Sequence, residues 1–267
     1  MTTTLAIANQ KGGVAKTTSV ASIGAALAEL GHRVLLVDLD PQACLTFSLG
    51  IDPEDLELSV HHVLTKGLDV EDAVIATDDG VDLLPATIEL ARAEADLLTR
   101  TGREQALKAA LEPVLDSYDW VLLDCPPSLG VLTVAALTAA DGVLIPLQCE
   151  TLSHRGVGQL LDTVHDVRRF TNRSLEVWGV LPTLYDGRTT HSRTVLETIS
   201  DTYDLEVVEP PIPKTIKFAE APAAGRSILS TSRSSKGAKA YRDVATTLVT
   251  RSRRKAPTAA SRRSGKR

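Results

Sequence analysis

The run Gln10-Lys11-Gly12-Gly13-Val14-Ala15-Lys16-Thr17-Thr18 brings two lysines, adjacent glycines and adjacent threonines into one short stretch. It follows the apolar segment Leu5-Ala6-Ile7-Ala8 and precedes a helical pattern from Ser19 to Leu30. Glycines let backbone N–H groups close around phosphate oxygens, and the helix start adds the positive end of its dipole. In that setting Lys16 neutralises the β- and γ-phosphates and Thr17 offers its hydroxyl to Mg2+. A second cluster, Val37-Asp38-Leu39-Asp40-Pro41-Gln42, ends another apolar run. Carboxylates two residues apart at a strand's end project in the same direction. One of them can fix the magnesium shell or the loop lysines, and the other can orient water in line with the γ-phosphorus. Asp-Pro is also turn and helix-cap chemistry, so this segment alone leaves a structural reading open. The third cluster, Val121-Leu122-Leu123-Asp124, is an apolar run ending in an acid, which suits Mg2+ held through a bound water. Cys125-Pro126-Pro127-Ser128 follows it. No histidine neighbours Cys125 in a recognised catalytic pattern, so it reads as a small buried residue and not a nucleophile.

These residues need a scaffold that gathers strand ends. Leu5–Asn9, Arg33–Asp38, Val81–Leu84, Trp120–Asp124, Gly142–Leu147 and Val177–Leu184 read as buried strands. Helical periodicity is strongest over Thr18–Leu30, Ile88–Leu98, Arg103–Leu115, Leu132–Ala139, Ser153–Phe170, Thr190–Tyr203 and Ser234–Arg251. The alternation predicts an α/β fold with a mainly parallel sheet and helices on both faces, its ligands bound beyond the carboxyl ends of the strands. At 267 residues and 43% apolar content the chain can bury one full core. Aromatic residues make up only 3%, which argues against a stacking platform for single strands.

The first strand starts within a few residues of Met1, so neither a signal peptide nor an appended helix-turn-helix module is expected. No apolar run is long enough to span a membrane. Cys44, Cys125 and Cys149 lack C-x-x-C spacing, so a reduced cytoplasmic setting without structural zinc is expected. Net charge is −5, yet eight basic residues and no acid lie between Arg251 and Arg267, which leaves the remaining body near −13. We therefore expect residues 1–250 to form a single domain built around the phosphate loop and residues 251–267 a basic disordered tail. That charge suits nucleic acid or an anionic surface, and equally a solvated tail without a dedicated partner.

The loop departs from G-x-x-x-x-G-K-[ST], since Gln10 and Ala15 stand at the two glycine positions. With Lys11 ahead of Lys16, it resembles the deviant Walker A loop of the ParA/MinD family of ATPases. The D-x-D-P-Q and D-C-P-P-S segments are similar to that family's as well. The resemblance implies that ATP and Mg2+ are bound by Lys11, Gly12, Gly13, Val14, Ala15, Lys16, Thr17 and Thr18. Thr17 and, through water, Asp124 would hold the metal. Lys11 would reach across a homodimer interface to the partner's nucleotide, and Asp40 would activate water, so Lys11, Lys16 and Asp40 are the implied catalytic set. Ala15 replaces a usual glycine and Ala43-Cys44 the common G-N. A methyl group at position 15 is tolerable at negative φ but removes freedom from a loop that must fit phosphate closely, which bears on the hydrolysis rate.

Ile145 to Glu150, Leu184 to Thr189 and Ile212 to Pro222 extend the resemblance, the second toward the chromosomal Soj-type proteins. It implies that Pro213 and Thr215 lie near adenine. Arg188, Lys214 and Lys217, joined by Arg226, Arg233 and Lys236, would meet phosphates of double-stranded DNA without sequence preference. The implied function is a cytoplasmic, nucleoid-associated ATPase that dimerises around ATP, binds DNA and drives chromosome or plasmid segregation or cargo positioning. Its slow hydrolysis would be stimulated by a ParB-like partner, with no membrane involved. One alternative is a nucleotide-gated DNA-binding protein with little turnover. A MinD-like positioning regulator would end in a bulky amphipathic helix, which Ala256 to Arg267 does not offer. An iron–sulfur carrier would need interface cysteines in a pattern not seen here.

Overall fold

The computed structural model describes residues 2–150 and 153–255. Seven strands, β1 (Thr3–Ile7), β2 (Val34–Asp38), β3 (Ile75–Ala76), β4 (Asp82–Leu84), β5 (Trp120–Asp124), β6 (Gly142–Gln148) and β7 (Glu176–Thr183), form one sheet in the order β3-β4-β2-β5-β1-β6-β7. All pairings are parallel except β3 with β4. The long helices are α1 (Lys16–Glu29), α8 (Ser153–Phe170), α9 (Thr190–Tyr203) and α12 (Lys236–Lys255). Shorter ones are α2 (Cys44–Ser48), α3 (Val60–Lys66), α4 (Val70–Ala73), α5 (Leu90–Leu98), α6 (Ala106–Leu111), α7 (Val131–Ala139), α10 (Lys217–Glu220) and α11 (Ile228–Thr231). The expected α/β class and parallel sheet are thus the observed ones.

Continuous apolar runs make these strands because both faces of the sheet are covered. On one face Val20, Ile23 and Leu27 of α1 join Tyr241, Val244 and Leu248 of α12 against Leu5, Ile7, Leu36 and Leu122. On the other, α3, α5, α6, α7, α8 and α9 cover Ala6, Leu35, Val37, Leu123 and Ile145. Each such side chain taken fully from water contributes about 1.5–3 kcal/mol. Gly142 is glycine because the indole of Trp178 lies where a Cβ would go, with Nε1 at 2.2 Å.

Register sets up the site. β5 lies between β1 and β2, pairing Ile7 with Asp124 on one side and Asp38 with Asp124 on the other. The phosphate loop, the two acids at the end of β2 and the acid ending β5 therefore emerge side by side.

Several boundaries differ from the sequence expectation. The helix anticipated over Arg103–Leu115 is broken into a 3-10 turn, α6 and a second 3-10 turn over Glu112–Ser117. Pro113 lacks the N–H that would continue the ladder. Strand β3, of two residues, carries no periodic signal and was not anticipated. The last helix runs to Lys255, into the segment expected to be a disordered tail. Arg251 explains this extension: its guanidinium lies over the Trp178 ring, donates to the Trp178 carbonyl (2.8 Å) and pairs with Glu206 (2.7 Å). The rest of that tail, 256–267, lies outside the described residues. No helix among the described residues is long and apolar enough to cross a membrane.

Candidate active site

The phosphate loop is held from both sides. Asn9 donates to the Pro146 carbonyl (2.7 Å) and accepts from the Lys11 N–H (2.9 Å), while Thr183 at the end of β7 donates to the Val14 carbonyl (2.9 Å). Ala15 takes the left-handed conformation, φ 61 and ψ 35, and not the negative φ at which a methyl group is easily tolerated. Lys16 opens α1 at 7% exposure, and its Nζ donates to the Lys11 carbonyl at 3.2 Å, so the loop closes on its own ammonium. Burial lowers the Lys16 pKa, against the pull of Asp124 and Asp40.

Asp124 is 1% exposed, and neither of its oxygens has a hydrogen-bond partner. Burial, followed by the nearby Asp38, holds its pKa well above the usual carboxylate range, although Thr17 and Lys16 stand close enough to act in the opposite sense. A buried, unpartnered carboxylate is costly unless a cation or donor compensates it. The pair Thr17 hydroxyl and Asp124 carboxylate therefore fits a hydrated Mg2+.

The geometry separates the two acids of the second cluster. Asp38 is fully buried, and its Oδ2 accepts from the Thr46 N–H (2.9 Å) and hydroxyl (2.8 Å) while Oδ1 accepts from the Asp40 N–H (3.1 Å). Desolvation pushes its pKa up to about 6, against those hydrogen bonds. Asp38 thus ties the end of β2 to α2. Asp40 instead lines a cavity of about 650 Å3, together with Gly12, Gly13, Ala15, Lys16, Thr17 and Thr18. The far wall is Cys44, Phe47, Phe218, Pro222 and Ile228. Ala43, between Asp40 and α2, is also left-handed at φ 52.

The remaining candidates divide. Lys11 is not among the cavity-lining residues, and its Nζ pairs with Glu150 at 2.5 Å. Pro213 bridges to Tyr185 at the end of β7, and neither Pro213 nor Thr215 lines the cavity. That bridge brings two basic candidates together: the Lys214 N–H donates to the Tyr185 carbonyl (3.2 Å), and Lys214 lies close enough to Asp186 to lower its pKa. Arg188, its side chain 91% exposed, forks onto Asp186 with two bonds of 2.9 Å. Lys217 pairs with Glu220 at 3.7 Å. Arg226 stands apart from this group, at the mouth of the cavity, paired with Asp78.

Sequence reasoning missed Asn9, Thr46 and Thr183 as the residues that position the site, and Asp78 and Asp79 as the clamp on Arg226, Ser227 and Ser230. Asp78-Asp79-Gly80 reads locally as a turn, and its partners lie 148 or more residues away.

A mainly parallel sheet that sends a phosphate loop from β1 beside two neighbouring strands, β5 and β2, that end in acids defines a P-loop nucleotide-binding fold. A family model described as "AAA domain" matches residues 2–177. The sporulation initiation inhibitor protein Soj of Bacillus subtilis is 46% identical over 242 residues, 90% of this chain and 96% of its own. The chromosome partitioning protein ParA of Caulobacter vibrioides is 40% identical over 252 residues, 93% and 94% of the two chains. A solved structure from Mycobacterium smegmatis, described as cobyrinic acid a,c-diamide synthase with bound ADP and magnesium, superposes with a TM-score of 0.86 at 57% identity, covering 95% of this chain and 96% of that one. The chain belongs to the ParA/Soj family of P-loop ATPases.

Proposed function

We propose that the protein is an ATP-driven DNA-partitioning or cargo-positioning switch associated with the nucleoid. The observation that carries this reading is the contrast between its two loop lysines: Lys16 is buried in the cavity, while Lys11 is turned away from it onto Glu150. A lysine on the outer rim of its own phosphate loop is free to serve a nucleotide held by a second copy. Exchanging Glu150 for that nucleotide's phosphates would replace an exposed pair, worth about 0–1 kcal/mol, by a desolvated one.

In this reading Lys16 and the loop N–H groups hold the β- and γ-phosphates, and Thr17 and Asp124 hold hydrated Mg2+. The ion, when bound, neutralises charge on the phosphate oxygens. Asp40 faces the same cavity with its carboxylate free of the Thr46 contacts that occupy Asp38, so it is the acid available to orient water. The γ-phosphate is present only before hydrolysis and biases the dimer by that difference. Arg188, Lys214 and Lys217, doubled by dimerisation, then bind double-stranded DNA through phosphates. Hydrolysis is slow and accelerated by a ParB-like protein.

The test is binding to random-sequence duplex DNA with no nucleotide, ADP, ATP and a slowly hydrolysed ATP analogue, repeated on a chain ending at Lys255. The cut falls there because Arg251 is packed into the domain. Binding that requires ATP or the analogue and survives truncation is the expected result. Binding indifferent to nucleotide and lost with residues 256–267 would overturn the reading.

The 57% identical structure described as a synthase favours a second reading, ATP-dependent amidation of cobyrinic acid. Burial pushes all three thiols up, Cys149 to about 11, so none is poised to release ammonia from glutamine. Incubation with ATP, cobyrinic acid and either glutamine or ammonia, read as the mass of the product, decides between the two.

A further inference from the structure

Outside the nucleotide cavity, beyond the carboxyl end of β4, three metal-type side chains meet. His61 and His62 lie in the first turn of α3, and Glu89 immediately precedes α5. One ligand atom from each lies within 4.8 Å of the other two. The imidazole rings stand at 85° with centroids 5.0 Å apart. His61 is 8% exposed, His62 half-buried and Glu89 exposed. Both Nδ1 atoms are shut off from solvent, and neither has a hydrogen-bond partner. Buried ring nitrogens ordinarily find a partner, so two orphans beside a carboxylate need an explanation that packing alone does not supply. The surrounding backbone is fixed by other groups: Val60 N–H donates to the Pro85 carbonyl (2.8 Å), and Ala86 N–H to the Thr46 hydroxyl (3.0 Å). The two imidazoles and the carboxylate are therefore not occupied in holding the loop.

We propose that His61, His62 and Glu89 form a binding site for a divalent transition metal of the zinc type. Imidazole nitrogen suits zinc, copper and nickel, whereas magnesium and calcium prefer the oxygen donors found at Thr17 and Asp124. Glu89 supplies the negative charge that two neutral imidazoles lack. Three protein donors leave the fourth tetrahedral position to water. Zinc bonds of about 2.0–2.2 Å place tetrahedral donors roughly 3.3 Å apart, a closure that rotation of Glu89 and His62 side chains can provide. Bound metal would pin the start of α3 to the start of α5.

The experiment is titration of the full chain with Zn2+ alone by calorimetry, with Co2+ as the spectroscopic probe. One equivalent should bind, with visible cobalt bands and no sulfur-to-cobalt charge-transfer band. Glu89→Gln and His62→Gln, at the exposed and half-buried positions, should each weaken Zn2+ binding about tenfold or more and abolish the zinc-induced rise in Tm. His61→Gln should do the same, and if it fails to fold the other two variants carry the test. Zinc affinity unchanged in Glu89→Gln and His62→Gln, a cobalt spectrum with a sulfur band, or no binding at all would overturn the proposal.

Discussion

Ala15 immediately precedes Lys16 and Ala43 follows the Asp40 segment, and both hold left-handed backbone, φ 61 and 52. An L-residue there costs about 1–2 kcal/mol, of which glycine gives back about half through its greater freedom in the unfolded chain. Ala43 is 2% exposed and loses a buried methyl on replacement, so the gain should concentrate at position 15. Ala15→Gly should raise stability by about 0.5–1 kcal/mol, a Tm increase of roughly 1–3 °C, and Ala43→Gly should be near neutral; a fall in Tm for Ala15→Gly would mean that the loop is not strained. The buried acids set a pH dependence. An acid whose folded pKa lies above its unfolded value holds its proton more tightly when folded, so stability falls as pH rises from about 4 through the folded value. With Asp38 at about 6 and Asp124 raised as well, the metal-free protein should be more stable at pH 5 than at pH 7. Asp124→Asn should narrow that gap, stabilise the metal-free protein at pH 7 by about 1–2 kcal/mol, and abolish the added stability conferred by Mg-ATP. Asp40→Ala should still bind ATP and hold the DNA-bound state; normal turnover in that variant, read by phosphate release, would remove Asp40 from the mechanism.

Helix α2 continues directly from the Asp40 segment, and a 3-10 turn over Pro222–Ala224 continues from α10, which starts at the candidate DNA residue Lys217. The two meet at a pair of glycines with positive φ: a Cβ on Gly225 would lie 2.8 Å from the Gly50 Cα, and one on Gly50 would lie 3.1 Å from the Gly225 carbonyl oxygen. Asp79 holds the next residues in place by accepting from the Ser227 N–H. Backbone contact between Gly50 and Gly225 thus joins the segment that follows Asp40 to the one that follows Lys217. Gly225→Ala should destabilise by about 1–3 kcal/mol in thermal unfolding and should lower the ratio of DNA affinity with ATP to that without it. An unchanged ratio would show that the two segments move independently. At this scale the sequence located every strand of the parallel sheet, because a strand buried on both faces is a continuous apolar run. It missed β3 because two residues carry no period, and it joined α6 to its flanking turns because Leu107, Leu111 and Leu115 keep helical spacing across the break at Pro113.

Across the whole molecule, charge is divided between an acidic body and basic groups that the chain holds with acids. Of the basic groups proposed to meet DNA, Arg188 is paired with Asp186 and Lys217 with Glu220. If the proposed function holds, DNA phosphates compete with these carboxylates, so affinity should be modest and steeply dependent on salt. Arg188→Ala removes one contact per protomer and should flatten the slope of log K against log salt by about 1.8 for a dimer, roughly 0.9 for each phosphate contact. A slope that does not change would leave Arg188 out of the DNA surface. The sequence by itself determined the phosphate loop, the acids that end the strands beside it and the alternation of strands and helices, because each is written in neighbouring residues. Tertiary structure decided which acid faces the cavity, since Asp38 is claimed by Thr46. It also decided that Ala15 and Ala43 take left-handed backbone, that Arg226 joins the nucleotide cavity and not the group around Arg188, and that His61, His62 and Glu89 converge. Each of those outcomes depends on which distant segments pack together, and local spacing carries no record of that choice.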